Sequence, residues 1–374
     1  MESRERIKRT LNLQVPDRVP RLEIGFWDET VERWRKEGLP ERVTYQSPFL
    51  TSYGECVTKE YKMQDTFEDY FGLDRIALID YDGTMRFKEE VLEETEEYKI
   101  YTLRDGLTNK AFKNKTSTPL QIDRKIKSKE DWDKYKCRLI ANKDRIKEET
   151  IELCRILKDK DIFTIIRPEE PCQYALYLIG EEDCLIYMAT DPDYIEEFIA
   201  YFTEFQLNML EVIIGEGIRL DALWYFSDLC YKNGMLFSPA FYRERIMKYH
   251  KKIFSFCKNN DMNVIYHCDG NIGQLLPLLV ESGIDCIQPI EARAGNDVRD
   301  YKKLYGNQIA FCGNISADVL STDKAAIEKE ISEKVELAKN KGGYIFHSDH
   351  SIPPSVSLEN YCYAMELVKK YGNY

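Results

Sequence analysis

The chain has 374 residues, 43% hydrophobic and 32% charged, a balance that excludes disorder as its main state. Its formal net charge is -12, and Lys and Arg are interspersed with acids, as in Glu2-Ser3-Arg4-Glu5-Arg6; neither nucleic-acid nor anionic-membrane binding is expected. Eleven cysteines are scattered without a C-x-x-C pair, the opening residues lack a signal-peptide core, and no apolar run reaches ~18 residues, so a cytoplasmic chain without a disulfide framework is expected.

Along the chain, short apolar, β-branched runs alternate with longer segments of helical periodicity. The runs fall at 19–26, 75–79, 162–166, 220–226, 263–266, 284–290, 308–311 and 343–346. Continuous apolar runs suit parallel strands buried on both faces, and this pattern predicts an α/β fold, a (β/α)8 TIM barrel spanning residues 1–374 as one domain. Residues 88–123 interrupt it. Two extended runs there, 98–103 and 108–113, flank Arg104-Asp105-Gly106 and predict a β-hairpin insertion in an early βα connection, a cover over the barrel mouth. The charged stretch 125–160 reads as helices, one opened by Asp131-Trp132. Asp191-Pro192 and Ser238-Pro239 each pair a helix cap with proline at the first helical position. Further helices are expected over 272–282, closing on Gly283, over 324–338, and from Ser357 onward.

In such a barrel the residues just past each strand surround the active site. That rule selects Arg167 and Glu169 after the third run, Tyr225 and Asp228 at the end of the fourth, and His267 and Asp269 after the fifth. Glu291, Asn314 and His350 follow the last three. The expected catalytic groups are Asp228, His267, Glu291 and His350, with Arg167, Glu169, Tyr225 and Asn314 binding substrate. Structural roles compete with these. Asp269 and Asn271 suit helix caps, Gly270 and Gly313 suit tight turns, Glu291 can pair with Arg293, and Asp349 can hold backbone. His250, at helical spacing from Ile246 and Ile253, is assigned to packing. In an extended strand His267 and Asp269 point to one side, so with His350 they form a candidate metal set; imidazoles serve equally as acid–base groups.

Several motifs together resemble the uroporphyrinogen-decarboxylase superfamily. They are Pro16-Asp17-Arg18-Val19-Pro20, Tyr70-Phe71-Gly72-Leu73-Asp74, the segment 232–239, His267-Cys268-Asp269-Gly270-Asn271, Cys312-Gly313-Asn314-Ile315 and Asp349-His350-Ser351-Ile352-Pro353-Pro354. The resemblance implies a barrel enzyme of one of two kinds. Cofactor-free decarboxylases carry an N-terminal R-Q-A-G-R-Y segment for substrate carboxylates, whereas this chain has Glu23-Ile24-Gly25-Phe26-Trp27-Asp28 and lacks those arginines. Corrinoid-dependent methyltransferases carry zinc on H-x-C and a later Cys. The matching positions here are His267, Asp269 and His350, a harder set suited to activating oxygen rather than a thiol, with Cys268 and Cys312 as nearby substitutes. The leading expectation is therefore a methyltransferase or O-demethylase component, with zinc, passing methyl groups between a small substrate and a corrinoid carried by a partner protein. A decarboxylase of a carboxylic acid and a non-catalytic ligand-binding barrel are the alternatives. Tyr361-Cys362-Tyr363 reads as either homodimer surface or packing.

Overall fold

Seven of the eight apolar runs form parallel strands. The computed structural model describes residues 1–45, 64–113, 119–157 and 160–374. We label the strands β1 (Ile76–Leu78), β2 (Phe163–Ile166), β3 (Ala222–Phe226), β4 (Asn263–His267), β5 (Cys286–Gln288), β6 (Ala310–Cys312) and β7 (Tyr344–Ile345). They pair in chain order, all parallel. The first run does not make a regular strand. Its backbone nevertheless bonds on both sides: Leu22 N donates to Phe346 O at 2.9 Å, and Arg21 O accepts from Asp74 N at 2.7 Å. This extended segment takes the eighth position between β7 and β1 and gives the fold its TIM-barrel character.

The chain divides into two compact units. One contains Met1–Asp80, Lys147–Pro168 and Gly217–Tyr374 and carries all seven strands. Its interior is a layered cluster of alternate strand residues, including Ile76, Phe163, Trp224, Ile265, Cys286, Ala310 and Ile345. Residues between these point outward; Tyr225 packs on Phe254 and His250 of the helix Met247–Asn259. His250 is fully buried, with Nδ1 2.7 Å from the Tyr242 hydroxyl, in keeping with its packing assignment. Two of the sequence motifs hold one ion cluster here. Asp74 accepts from Arg6 and Arg18, from the backbone N of Arg21 at 2.9 Å and from Ser3 Oγ at 3.1 Å.

The other unit contains Tyr81–Ile146 and Glu169–Glu216. The expected hairpin forms between Tyr98–Thr102 and Leu107–Phe112, with Gly106 at a positive φ of 83° in its turn. Glu90–Glu94 and Leu120–Arg124 flank it, making a four-stranded antiparallel sheet. Ser128, not Asp131, caps the helix Lys129–Tyr135; Asp131 instead turns back to accept from Lys127 N at 3.1 Å. Trp132 of this helix is fully buried, its ring 4.1 Å from that of Phe198 on the helix Pro192–Gly215, which Asp191 caps as expected. The helices capped by Gly283, Asp323 and Ser357 also form. Among the described residues, no helix is long and apolar enough to cross a membrane.

Candidate active site

The site begins with strand register. Phe226, His267 and Gln288 are neighbours on β3, β4 and β5, so their side chains form one inward row at the C-terminal ends of the strands. The Phe226 and His267 rings stack with centroids 4.2 Å apart and planes 11° apart. Two residues farther on, period-two geometry returns a side chain to the same side, and both positions are aspartates: Asp228 after Phe226 and Asp269 after His267. His267 Nε2 lies 3.7 Å from Asp228 Oδ1 and 3.9 Å from Asp269 Oδ2. One ligand atom from each of the three residues falls within 4.8 Å of the others.

Of the three, His267 and Asp269 border a cavity of about 200 Å³. Arg167, His267, Asp269 and His350 supply its ionisable lining, and Ile24, Phe226 and Pro289 supply apolar wall. The Arg167 guanidinium sits over the Phe226 ring, 4.6 Å from its centroid. Glu291 stands beside the aspartates and accepts from Gly270 N at 2.8 Å; Arg293 Nε approaches its other oxygen to 3.4 Å. Gly270 itself is required. Its φ is positive at 83°, and a Cβ there would lie 2.8 Å from the backbone of Cys230 and Tyr231.

Burial raises the Asp269 carboxyl above the ordinary range; His267 and His350 oppose that rise while Asp228 and Glu291 reinforce it. Burial likewise holds His347 down at about 4, so this imidazole is neutral. Directly behind the His350 loop is Glu23, buried and raised to about 7, chiefly by burial. It accepts from Ser348 Oγ and, at 3.1 Å, from the Tyr361 hydroxyl. Tyr361 is thereby a packing residue, at 0% exposure.

Several expectations change. Tyr225 faces the helix layer rather than the mouth, because it is odd in the strand alternation where Trp224 and Phe226 are even. Asn314 is spent on backbone: its side chain accepts from Val298 N at 3.0 Å and donates to Ile290 O and Asn296 O at 2.8 and 3.0 Å. Asp349, by contrast, holds backbone as anticipated, accepting from Ala292 N and Ala317 N. Glu169 belongs to the second unit, where its carbonyl accepts from Gln206. Cys268 is buried and engages Cys230, which together with burial raises its thiol well above the usual range, and Cys312 lies in the barrel core; neither lines the cavity. His350 does line it but lies outside the tight three-residue donor group, which takes Asp228 instead. Sequence reasoning missed Phe226, Trp224 and Gln288. A lone Gln between Ile287 and Pro289, two positions from Cys286, was the available signal for an inward polar group in an otherwise apolar run.

A parallel barrel with titratable groups gathered around a cavity at its strand ends is the architecture of a TIM-barrel active site. Comparison with known proteins then gives the family. The uroporphyrinogen decarboxylase (URO-D) family profile matches residues 111–371, and the chain belongs to that family. Among curated relatives, uroporphyrinogen decarboxylase of Syntrophotalea carbinolica is 26% identical over 137 residues, 37% of this chain and 39% of that protein. The enzyme of Pelobacter propionicus is 24% identical over 183 residues, 49% of this chain and 51% of that one, and the enzyme of Legionella pneumophila strain Paris is 29% identical over 137 residues, 36% and 38%. The matches thus span about half or less of these relatives' length. Among solved structures, a methyltransferase from Methanosarcina mazei superposes with a TM-score of 0.67 at 16% identity, covering 99% of both chains, a likeness of fold.

Proposed function

We propose that this protein is a methyltransferase of the family, an O-demethylase component that moves a methyl group between a small oxygen-bearing substrate and a corrinoid held by a partner protein. The observation that carries the reading is the donor group of Asp228, His267 and Asp269, the last two of which line the cavity. Its chemistry fits zinc: one imidazole nitrogen and two carboxylate oxygens within 4.8 Å of one another, three protein donors with room for substrate. Asp269 Oδ1 is also buried without a hydrogen-bond partner, as a group awaiting a cation would be. Zinc held by Asp228, His267 and Asp269 would supply Lewis-acid polarisation of the substrate oxygen.

The chain's own residues do the rest. Phe226, Ile24 and Pro289 exclude water from the apolar part of the substrate, and the Arg167 guanidinium orients a polar or anionic end of it. His350, lining the same cavity, exchanges a proton with the substrate oxygen, while Glu291 fixes the Gly270 turn that aims Asp269.

A second reading has its own support. The relatives named uroporphyrinogen decarboxylase, with a guanidinium in the cavity, favour decarboxylation of a carboxylic acid bound at Arg167. Metal analysis of the purified protein with the variants His267→Ala and Asp228→Asn separates the two. About one zinc per chain, lost in both variants, together with methyl transfer to a corrinoid protein, supports the methyltransferase. Carbon dioxide release by metal-free protein overturns it in favour of the decarboxylase.

A further inference from the structure

A second polar layer lies directly beneath the His267 imidazole. Gln288 is fully buried in the barrel interior, next to His267 in register, and its side chain touches three hydrogen-bonding partners. Trp224 Nε1 lies 3.3 Å from Gln288 Oε1, His267 Nδ1 lies 2.7 Å from the same oxygen, and Gln288 Nε2 lies 3.3 Å from His347 Nε2.

For neutral imidazoles, only one assignment of hydrogens satisfies all three contacts. An indole N–H donates and never accepts, so the amide oxygen must face Trp224. That oxygen is also the atom facing His267 Nδ1, and an oxygen without hydrogens requires Nδ1 to carry one. A neutral imidazole holds a single N–H, which leaves Nε2 as a bare lone pair. Nε2 is the nitrogen aimed at Asp228 and Asp269. On its other side the amide N–H donates to His347 Nε2, and His347 then donates through Nδ1 to the Ser348 carbonyl. Turning the amide over would set N–H against N–H at Trp224.

We propose that Gln288 is a positioning residue: anchored by Trp224, it locks His267 in the Nδ1–H tautomer and so presents Nε2 to the cavity as an unprotonated donor, while imposing the same tautomer on His347. A free imidazole in water carries its proton mainly on Nε2, so the barrel reverses the solution preference. What the lone pair receives, a zinc ion or a substrate proton, rests on the function proposed above; the tautomer does not.

The test is nitrogen-15 NMR of protein with labelled histidine at pH 8, the four histidines assigned by single substitution, alongside zinc titration of metal-free protein. In the unsubstituted protein His267 and His347 should each show a protonated Nδ1 and a pyridine-like Nε2. Gln288→Leu should return His267 toward the Nε2–H form and weaken zinc binding about 10–100-fold, the usual loss when a ligand's outer hydrogen bond is removed. Gln288→Glu keeps an oxygen for Trp224 and His267 but no donor for His347; it should preserve the His267 signature and abolish the pyridine-like Nε2 signal of His347, whose Nε2 would then face an acceptor. Should Gln288→Leu fail to fold, Trp224→Phe, which frees the amide to turn, carries the same expectation for His267. A pyridine-like Nδ1 on His267 in the unsubstituted protein, or a tautomer indifferent to both Gln288→Leu and Trp224→Phe, overturns the assignment. Absence of zinc binding with the tautomers as stated overturns the metal reading and leaves the role of Gln288 standing.

Discussion

Glu23 offers a quantitative test of how the barrel wall behind His350 is held. The residue is buried, and its carboxyl rises from 4.5 to about 7, with burial the largest cause and hydrogen bonds from Ser348 and Tyr361 opposing it. A raised carboxyl favours the protonated folded state, so the stability linked to Glu23 is complete below pH 4.5 and is lost as pH rises through 7. The whole rise corresponds to about 3 kcal/mol, of which about 2.5 kcal/mol falls between pH 5 and pH 8. Glu23→Gln keeps an oxygen for Ser348 and an amide N–H for the Tyr361 hydroxyl but cannot ionise. Urea unfolding of both proteins at pH 5, 6, 7 and 8 gives the difference in stability directly. Asp105, raised to about 6 by burial, titrates in both and cancels. The stability of the native protein relative to Glu23→Gln should fall by about 2.5 kcal/mol from pH 5 to pH 8. Parallel curves would refute the reasoning and require a charged, solvated Glu23.

Three further substitutions probe other parts of the fold. Asp74→Ala strips the Arg6 and Arg18 guanidinium groups of their buried partner and should cost about 3–5 kcal/mol in denaturant unfolding, far more than loss of a surface pair. Gly313→Ala places a Cβ 1.9 Å from Pro289 O at a φ of +120°; a loss of about 4 kcal/mol or more, read as a collapse of Tm or of soluble yield, is expected. Trp132→Ala empties a fully buried site against Phe198 in the second unit, with an expected cost of about 3–5 kcal/mol and early protease cleavage within residues 81–146.

The alternation of apolar runs and capped helices made the barrel legible from sequence, because parallel strands buried on both faces leave a signal that needs no partner to be seen. The Asp191, Ser238 and Ser357 caps were equally readable, since a cap is satisfied by backbone three residues away. So was the neighbourhood of the site: His267, Asp269 and His350 all border one cavity although 83 residues separate the first from the last. What sequence could not decide was parity and register. Tyr225 and Phe226 are adjacent aromatics, and only the pairing of β3 with β4 determines which one meets His267. Asn314 looked available until the backbone around Ile290 and Asn296 consumed its amide. Asp228 came beside Asp269, and Gln288 reached His267, because neighbouring strands bring equal positions side by side across gaps of 41 and 21 residues. Local interactions are written in local sequence; which side chains share a hydrogen bond across a barrel is set by how the strands align, and that is a property of the folded chain alone.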